Sequence, residues 1–103
     1  MIQQLRIYEM YEHNQDALVA RFRDHTVRIM ARYGFRIINI WTTRTDSGPE
    51  LVYLLEWPDE ETLKRAWAGF RADQEWAEIK RRTTAEHGDM VGRIEDRVLH
   101  TIA

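Results

Sequence analysis

Among the side chains that could move a proton, His25 stands in the most informative place. Leu18, Phe22, His25, Ile29 and Tyr33 recur at steps of four, three, four and four, the stripe of a helix with one apolar side. An imidazole set between Phe22 and Ile29 is expected to point between that helix and whatever it covers. A pocket imidazole can exchange a proton near neutral pH, the requirement for general acid–base chemistry. The same placement also suits a core histidine satisfied by a single hydrogen bond, and Tyr8, Tyr53 and Asn39 are the candidate partners. Tyr8 or Asn39 could steady an oxyanion, and Trp41, Tyr53 and Trp67 could give a cavity planar walls with polar tips. The working site is therefore His25 as catalytic acid/base, with Tyr8, Asn39, Trp41, Tyr53 and Trp67 binding substrate. For each aromatic, plain core packing is the competing role. Glu56 is expected to form an interface ion pair with Arg93 or Arg97, ahead of a role as catalytic acid, and Arg21, Arg28 and Arg32 to form a solvated helix edge, ahead of drawing anionic ligands to a pocket mouth.

Several chemistries lack their residues. There is no cysteine, which removes disulfides and thiolate metal sites. The histidines at 13, 25, 87 and 100 form neither an H-x3-H nor an HExxH pattern, so no metal site is expected. No Gly-rich phosphate loop and no G-x-S-x-G nucleophile elbow is present, and no cofactor is expected. A formal charge of −2 and a pI near 6.1 speak against nucleic acid as a partner. No apolar run approaches the ~20 residues that span a membrane, and the first residues lack the apolar stretch of a signal peptide. A cytoplasmic location is the expectation.

The elements that must position these residues read in order. Ile2 to Tyr11 is a strand in which Leu5 and Ile7 alternate with Arg6 and Tyr8. Asn14 is a plausible N-cap for a helix from Asp16 to Tyr33, with Asp24 and Arg28 spaced for an ion pair and Gly34 as its stop. Phe35 to Thr43 and Leu51 to Trp57 are strands joined across the turn Thr45-Asp46-Ser47-Gly48-Pro49. On the first of these, Asn39 shares a parity with Phe35, Ile37 and Trp41. After Pro58, Asp59 can cap a helix carrying Leu63, Ala66, Trp67 and Phe70. Asp73 can cap a shorter one ending near Arg82. Thr83 to Gly88 reads as a loop and Met90 to Ile102 as the last strand. The order β-α-β-β-α(α)-β over residues 1–103 is one ferredoxin-like α+β domain: a four-stranded antiparallel sheet with its helices on one face.

That topology leaves a second sheet face. The middle hairpin is apolar on both parities, Ile38, Ile40, Val52 and Leu54 against Phe35, Ile37, Trp41, Tyr53 and Leu55. A solvated face should instead alternate cleanly. Burying three or four such side chains is worth roughly 5–12 kcal/mol before the cost of association. A homodimer is the expected cover.

Four segments carry a family resemblance: Leu5-Arg6-Ile7-Tyr8; Arg32-Tyr33-Gly34-Phe35 running into Trp41-Thr42-Thr43; Leu51-Val52-Tyr53-Leu54-Leu55-Glu56-Trp57; and Ala72-Asp73-Gln74-Glu75-Trp76. Together they resemble the NIPSNAP family. The resemblance implies a dimeric α/β barrel, in which two ferredoxin-like sheets pack face to face, and it implies little about activity. Two positions depart from the family pattern. Gln74 stands where a proline is common, and Tyr53 where many relatives carry a histidine. By analogy with the fold group, one reading is a cofactor-independent oxygenase, cyclase or isomerase acting on a small aromatic or polyketide-like molecule. The other is a non-catalytic dimeric binding or scaffold module.

Overall fold

A computed structural model describes residues 1–103. Strand β1 (Ile2–Glu9) leads into α1 (Gln15–Arg21), a π-helical turn (Phe22–Thr26) and α2 (Val27–Ala31), which together form one continuous helical arm. The hairpin β2 (Arg36–Thr45) and β3 (Gly48–Trp57) follows, then α3 (Glu60–Arg71), α4 (Gln74–His87) and β4 (Ile94–His100). The strands line up β2-β3-β1-β4, and each pairing is antiparallel. This is the ferredoxin-like order expected from the sequence.

Alternation on the two central strands shows which face the helices cover. Leu51, Tyr53, Leu55 and Trp57 of β3 are buried, while Val52, Leu54 and Glu56 between them are half-buried. Strand β1 inverts the hydrophobic expectation. Its buried side is Ile2, Gln4 and Arg6, with Tyr8 beyond, and its apolar Leu5 and Ile7 face the opposite way. The pairing register requires this, because Gln4, Arg6 and Tyr8 lie opposite Leu55, Tyr53 and Leu51. Residues opposite one another share a face of the sheet. Above that face Phe35 packs edge-on to Trp57 and Trp67, with ring centroids 4.9 and 4.8 Å apart.

Two local insertions re-aim side chains. The π-turn adds one residue to a helical turn, which rotates everything after it by about 100°. The buried stripe consequently runs Leu18, Phe22, Thr26, Ile29 and Met30, and Thr26 takes the inward position that uniform α-helical spacing gave to His25. In β2, a bulge between Ile37 and Asn39 exchanges the faces beyond it. Asn39 then lies opposite Leu54 and Trp41 opposite Val52, on the side away from the helices.

The caps expected at Asp59 and Asp73 form, accepting from the backbone N–H of Thr62 at 2.7 Å and of Trp76 at 2.8 Å. Asn14 behaves differently. Its amide makes no cap and instead donates to the carbonyls of His87 and Asp89, at 3.0 and 2.9 Å, across the end of α4. That helix runs five residues past Arg82, through the segment read as a loop, and stops at Gly88 with φ +77°. Strand β4 starts correspondingly late.

A charged clamp joins the end of the first helical arm to the start of α4. Asp73 accepts from the Tyr33 hydroxyl at 2.6 Å and from Arg32 at 3.3 Å, while Glu75 receives both Arg28 and Arg32. Arg28 therefore serves Glu75, and Asp24 pairs with Arg23. Hydrogen bonds from Arg28 and Arg32 hold the Glu75 carboxyl down at about 2, against an ordinary 4.5. The Tyr33 hydroxyl, followed by the Trp76 N–H, lowers Asp73 as well. Because the folded-state values are depressed, this stabilisation is complete above the ordinary carboxylate range and is lost as pH falls through the folded values. The thermal midpoint should thus fall between about pH 4.5 and pH 2. Glu75→Gln should lower the midpoint at neutral pH and flatten that acid limb; an unchanged limb in the variant would place its origin elsewhere.

Candidate functional site

The polar row on the inner side of β1 has to be satisfied beneath the helices, and that requirement builds the site. Gln4, 1% exposed, accepts two indole N–H groups through one carbonyl oxygen: Trp57 at 3.0 Å and Trp67 at 2.9 Å. Its amide nitrogen donates to Asp96 on the neighbouring β4 at 2.9 Å. The other oxygen of Asp96 lies 3.4 Å from the Arg6 guanidinium, which it faces across the β1–β4 pair. Arg6 then donates to the hydroxyls of Tyr53 (3.3 Å) and Tyr8 (3.2 Å), and those two oxygens are 2.6 Å apart. The guanidinium also stacks on Trp67, its central carbon 4.5 Å from the ring centroid.

Burial works against the Arg6 charge, but the surrounding tyrosine oxygens outweigh it and hold its pKa above the ordinary value. Burial and the Tyr8 oxygen push the Tyr53 phenol well above its ordinary range, so Tyr53 remains a neutral hydroxyl. Tyr8 is the half-buried member of the pair, and its ring stands edge-on to Tyr53 at 5.5 Å.

Tyr8, Arg6 and Trp67 form part of the wall of a cavity of about 360 Å3 between the helices and the sheet. Leu18, Phe22, Met30, Phe70, Trp76 and Met90 supply its apolar surface, and Arg21, Arg71, Lys80 and Asp89 its charges. The volume falls at the small end of the range for ligand sites, about 300–1,000 Å3. No three His, Asp or Glu side chains converge as a metal site would require.

The residues picked from the sequence are thereby divided. Tyr8 and Trp67 line the cavity, and Tyr53 lies directly behind Tyr8, completely buried. His25 does not reach it. Rotated out by the π-turn, it is half-buried on the wall of a separate polar groove with Asp24, Thr83 and His87, and its Nδ1 lies 3.4 Å from Arg28. None of Tyr8, Tyr53 or Asn39 is its partner. Asn39 and Trp41 stand on the opposite face of the sheet, where Trp41 is 44% exposed and the Asn39 oxygen accepts from the next backbone N–H at 2.8 Å. Glu56 pairs with Arg36 across the hairpin at 3.2 Å, and Arg97 with Glu95 beside it on β4.

Two candidate site residues, Gln4 and Arg6, escaped the sequence reading, which placed Arg21 on a solvated edge with a pocket mouth as the lesser alternative. Arg21 belongs to what reads as a wet arginine edge, yet it lines both the cavity and the polar groove. The usable signal was on β1, where Gln4-x-Arg6-x-Tyr8 places three hydrogen-bonding side chains on one parity.

A family model for NIPSNAP matches residues 3–103. The chain belongs to the NIPSNAP family. No curated protein matches the sequence. Solved NIPSNAP relatives share the fold closely. A NIPSNAP-like domain protein from Burkholderia xenovorans, described as uncharacterised, superposes with a TM-score of 0.83 at 22% identity, over 99% of this chain and 85% of its own. A NIPSNAP family protein from Agrobacterium tumefaciens gives 0.78 at 19% identity, over 96% and 90%. A putative antibiotic biosynthesis monooxygenase from Nitrosomonas europaea aligns over the full length of both chains with a TM-score of 0.65 at 12% identity. At such identities the likeness is one of fold, the ferredoxin-like α+β arrangement described above.

Gln4→Met removes the acceptor shared by two buried indole N–H groups while nearly preserving side-chain volume. Each of the two orphaned donors costs about 1–3 kcal/mol, so denaturant unfolding should show a loss of about 2–6 kcal/mol. A loss below 1 kcal/mol would mean that the indoles find other partners.

Proposed function

We propose that this NIPSNAP chain is a small-molecule-binding homodimer whose ligand occupies the cavity between the helical layer and the sheet. The observation that carries the reading is the combination of an apolar cavity with convergent polar groups, the Tyr8 hydroxyl and the Arg6 guanidinium, held by buried partners. Default ligand sites have this composition: mostly apolar walls with a few fixed polar groups. Trp67, clamped at its indole nitrogen by Gln4, offers a rigid ring surface for a flat molecule.

If the bound molecule is also transformed, the group placed to exchange a proton with it is Tyr8 and not His25. The Tyr8 hydroxyl can donate to, or accept from, a ligand atom while Tyr53 and Arg6 hold its oxygen. Oxygenation, cyclisation or isomerisation without a cofactor is the catalytic form of the proposal. The monooxygenase named for one structural neighbour supports it by analogy of fold alone. Binding without turnover is the alternative, and the same variants separate the two. A thermal-shift screen of aromatic and polyketide-like metabolites should find stabilising compounds. Tyr8→Phe should weaken their binding about tenfold, the worth of one hydrogen bond in a dry site, and abolish any turnover. His25→Ala should leave both intact. Loss of binding in the His25 variant with retention in the Tyr8 variant would place the ligand in the outer groove.

The second copy is proposed for the uncovered sheet face. Leu5, Ile7, Val52 and Leu54 are only half-buried there, and Trp41 and Leu99 are 44% and 40% exposed. Monomers rarely leave a contiguous apolar surface of this kind open. Sedimentation at micromolar concentration should give twice the 12.4 kDa chain mass. Leu54→Lys, at the centre of that face, should give the single chain; a wild-type monomer would overturn the assembly.

A further inference from the structure

Arg21 differs from the other arginines that meet the helical layer. Arg6, Arg28 and Arg32 each have a carboxylate within 4 Å. Arg21 has none, although it is half-buried and lines the cavity. Its Nη1 donates to the Thr83 hydroxyl at 3.1 Å, and its guanidinium lies 5.2 Å from the Trp76 ring centroid. The Nε is buried with no hydrogen-bond partner, and Nη2 makes no bond to the protein. Burial accordingly pulls the Arg21 pKa below its ordinary value. A guanidinium charge partly withdrawn from water without a counter-charge carries a cost, and such groups are ordinarily paired.

The rest of the cavity has the same sign. Arg71 and Lys80 stand on its wall with Arg6 and Arg21, and Asp89 is the one carboxylate that faces them. Arg6 already has Asp96 as its counter-ion, so Arg21 is the cation within the cavity left uncompensated. Arg71 and Lys80 are exposed, and their charges are shared with solvent. The remaining surface near Arg21 is Leu18, Phe22 and Trp76.

We infer that the cavity is built for an organic monoanion, an apolar or aromatic carboxylate whose carboxyl group is held by Arg21 while its body lies against Phe22, Trp76 and Trp67. The inference rests on the proposed ligand cavity and narrows its ligand to one chemical class. A carboxylate matches the planar guanidinium fork, supplies the single missing charge and leaves the Thr83 bond in place. A neutral ring compound would fill the same space and leave the Arg21 charge without a partner.

Calorimetric titration of the full-length chain with 1-naphthoate and with 1-naphthalenemethanol, which share a ring system and differ in charge, tests this. Wild type should bind the carboxylate about ten- to a hundredfold more tightly than the alcohol, the range for a charge-assisted contact. In Arg21→Met, which keeps the aliphatic stem, that preference should vanish through weaker carboxylate binding, with the alcohol unchanged. Arg21→Gln, a shorter and neutral polar side chain, repeats the test should the first variant not fold. Equal binding of both compounds by wild type, or an undiminished carboxylate preference in a folded Arg21 variant, would overturn the anion assignment and leave the cavity reading standing. Binding of neither compound would overturn both. Tighter binding of 1-naphthyl phosphate than of the carboxylate would overturn the monoanion and replace it with a phosphate ester.

Discussion

A strand with glutamine, arginine and tyrosine on its inner side cannot be buried unless each polar group finds a partner there, and the architecture around β1 is shaped by that demand. The Gln4 oxygen takes the indole donors of Trp57 and Trp67, its nitrogen reaches Asp96, and Asp96 balances Arg6. Arg6 in turn holds the Tyr8 and Tyr53 hydroxyls. The chain of contacts crosses β3, β1, β4 and α3, so it specifies how the central strands are registered and where α3 sits. Buried polar networks have this effect because a slipped register leaves donors without acceptors, at a cost of kilocalories per group.

The same network explains why the cavity is chemically uneven. Where the row is complete, as at Gln4 and Tyr53, the interior is closed and neutral. Where it approaches the helical arm, it ends at the half-buried Tyr8, and the opposite wall is formed by α1 and the π-turn. The π-turn brings Thr26 inward and carries His25 out, so the cavity wall has no imidazole, and the Tyr8 phenol and three guanidinium groups stand on it with Lys80 and Asp89. Phenol and guanidinium groups are hydrogen-bond donors, suited to holding a ligand's oxygen atoms.

The geometry gives Tyr53 a fixed place in the relay. Tyr53 is sealed beneath Phe22, with ring centroids 4.8 Å apart, and its hydroxyl is spent on Tyr8 and Arg6. The exposed end of the relay is Tyr8. The clamp of Asp73 and Glu75 on Arg28, Arg32 and Tyr33 belongs to a different layer of the structure. It is electrostatic, and it ties the end of the helical arm to the start of α4.

Local pattern alone carried the element order, the hairpin, the acid caps at Asp59 and Asp73 and the ferredoxin-like class, because each depends on periodicity or short-range chemistry along the chain; the family came from the resemblance of four short segments. Tyr8 and Trp67 were also legible as cavity residues, being aromatic side chains on elements that must face one another. The positions of His25, Asn39 and Trp41 were not. His25 lies within a π-turn and Asn39 and Trp41 beyond a β-bulge, and a single insertion turns the side chains that follow it to a new direction without altering composition or spacing. Which parity of β1 faces inward was likewise settled by its pairing with β3, since hydrophobicity alone would have turned Leu5 and Ile7 to the core. Tertiary packing decided those directions because the polar row on β1 gains enough partners beneath the helices to be buried, and no count along the sequence contains those partners.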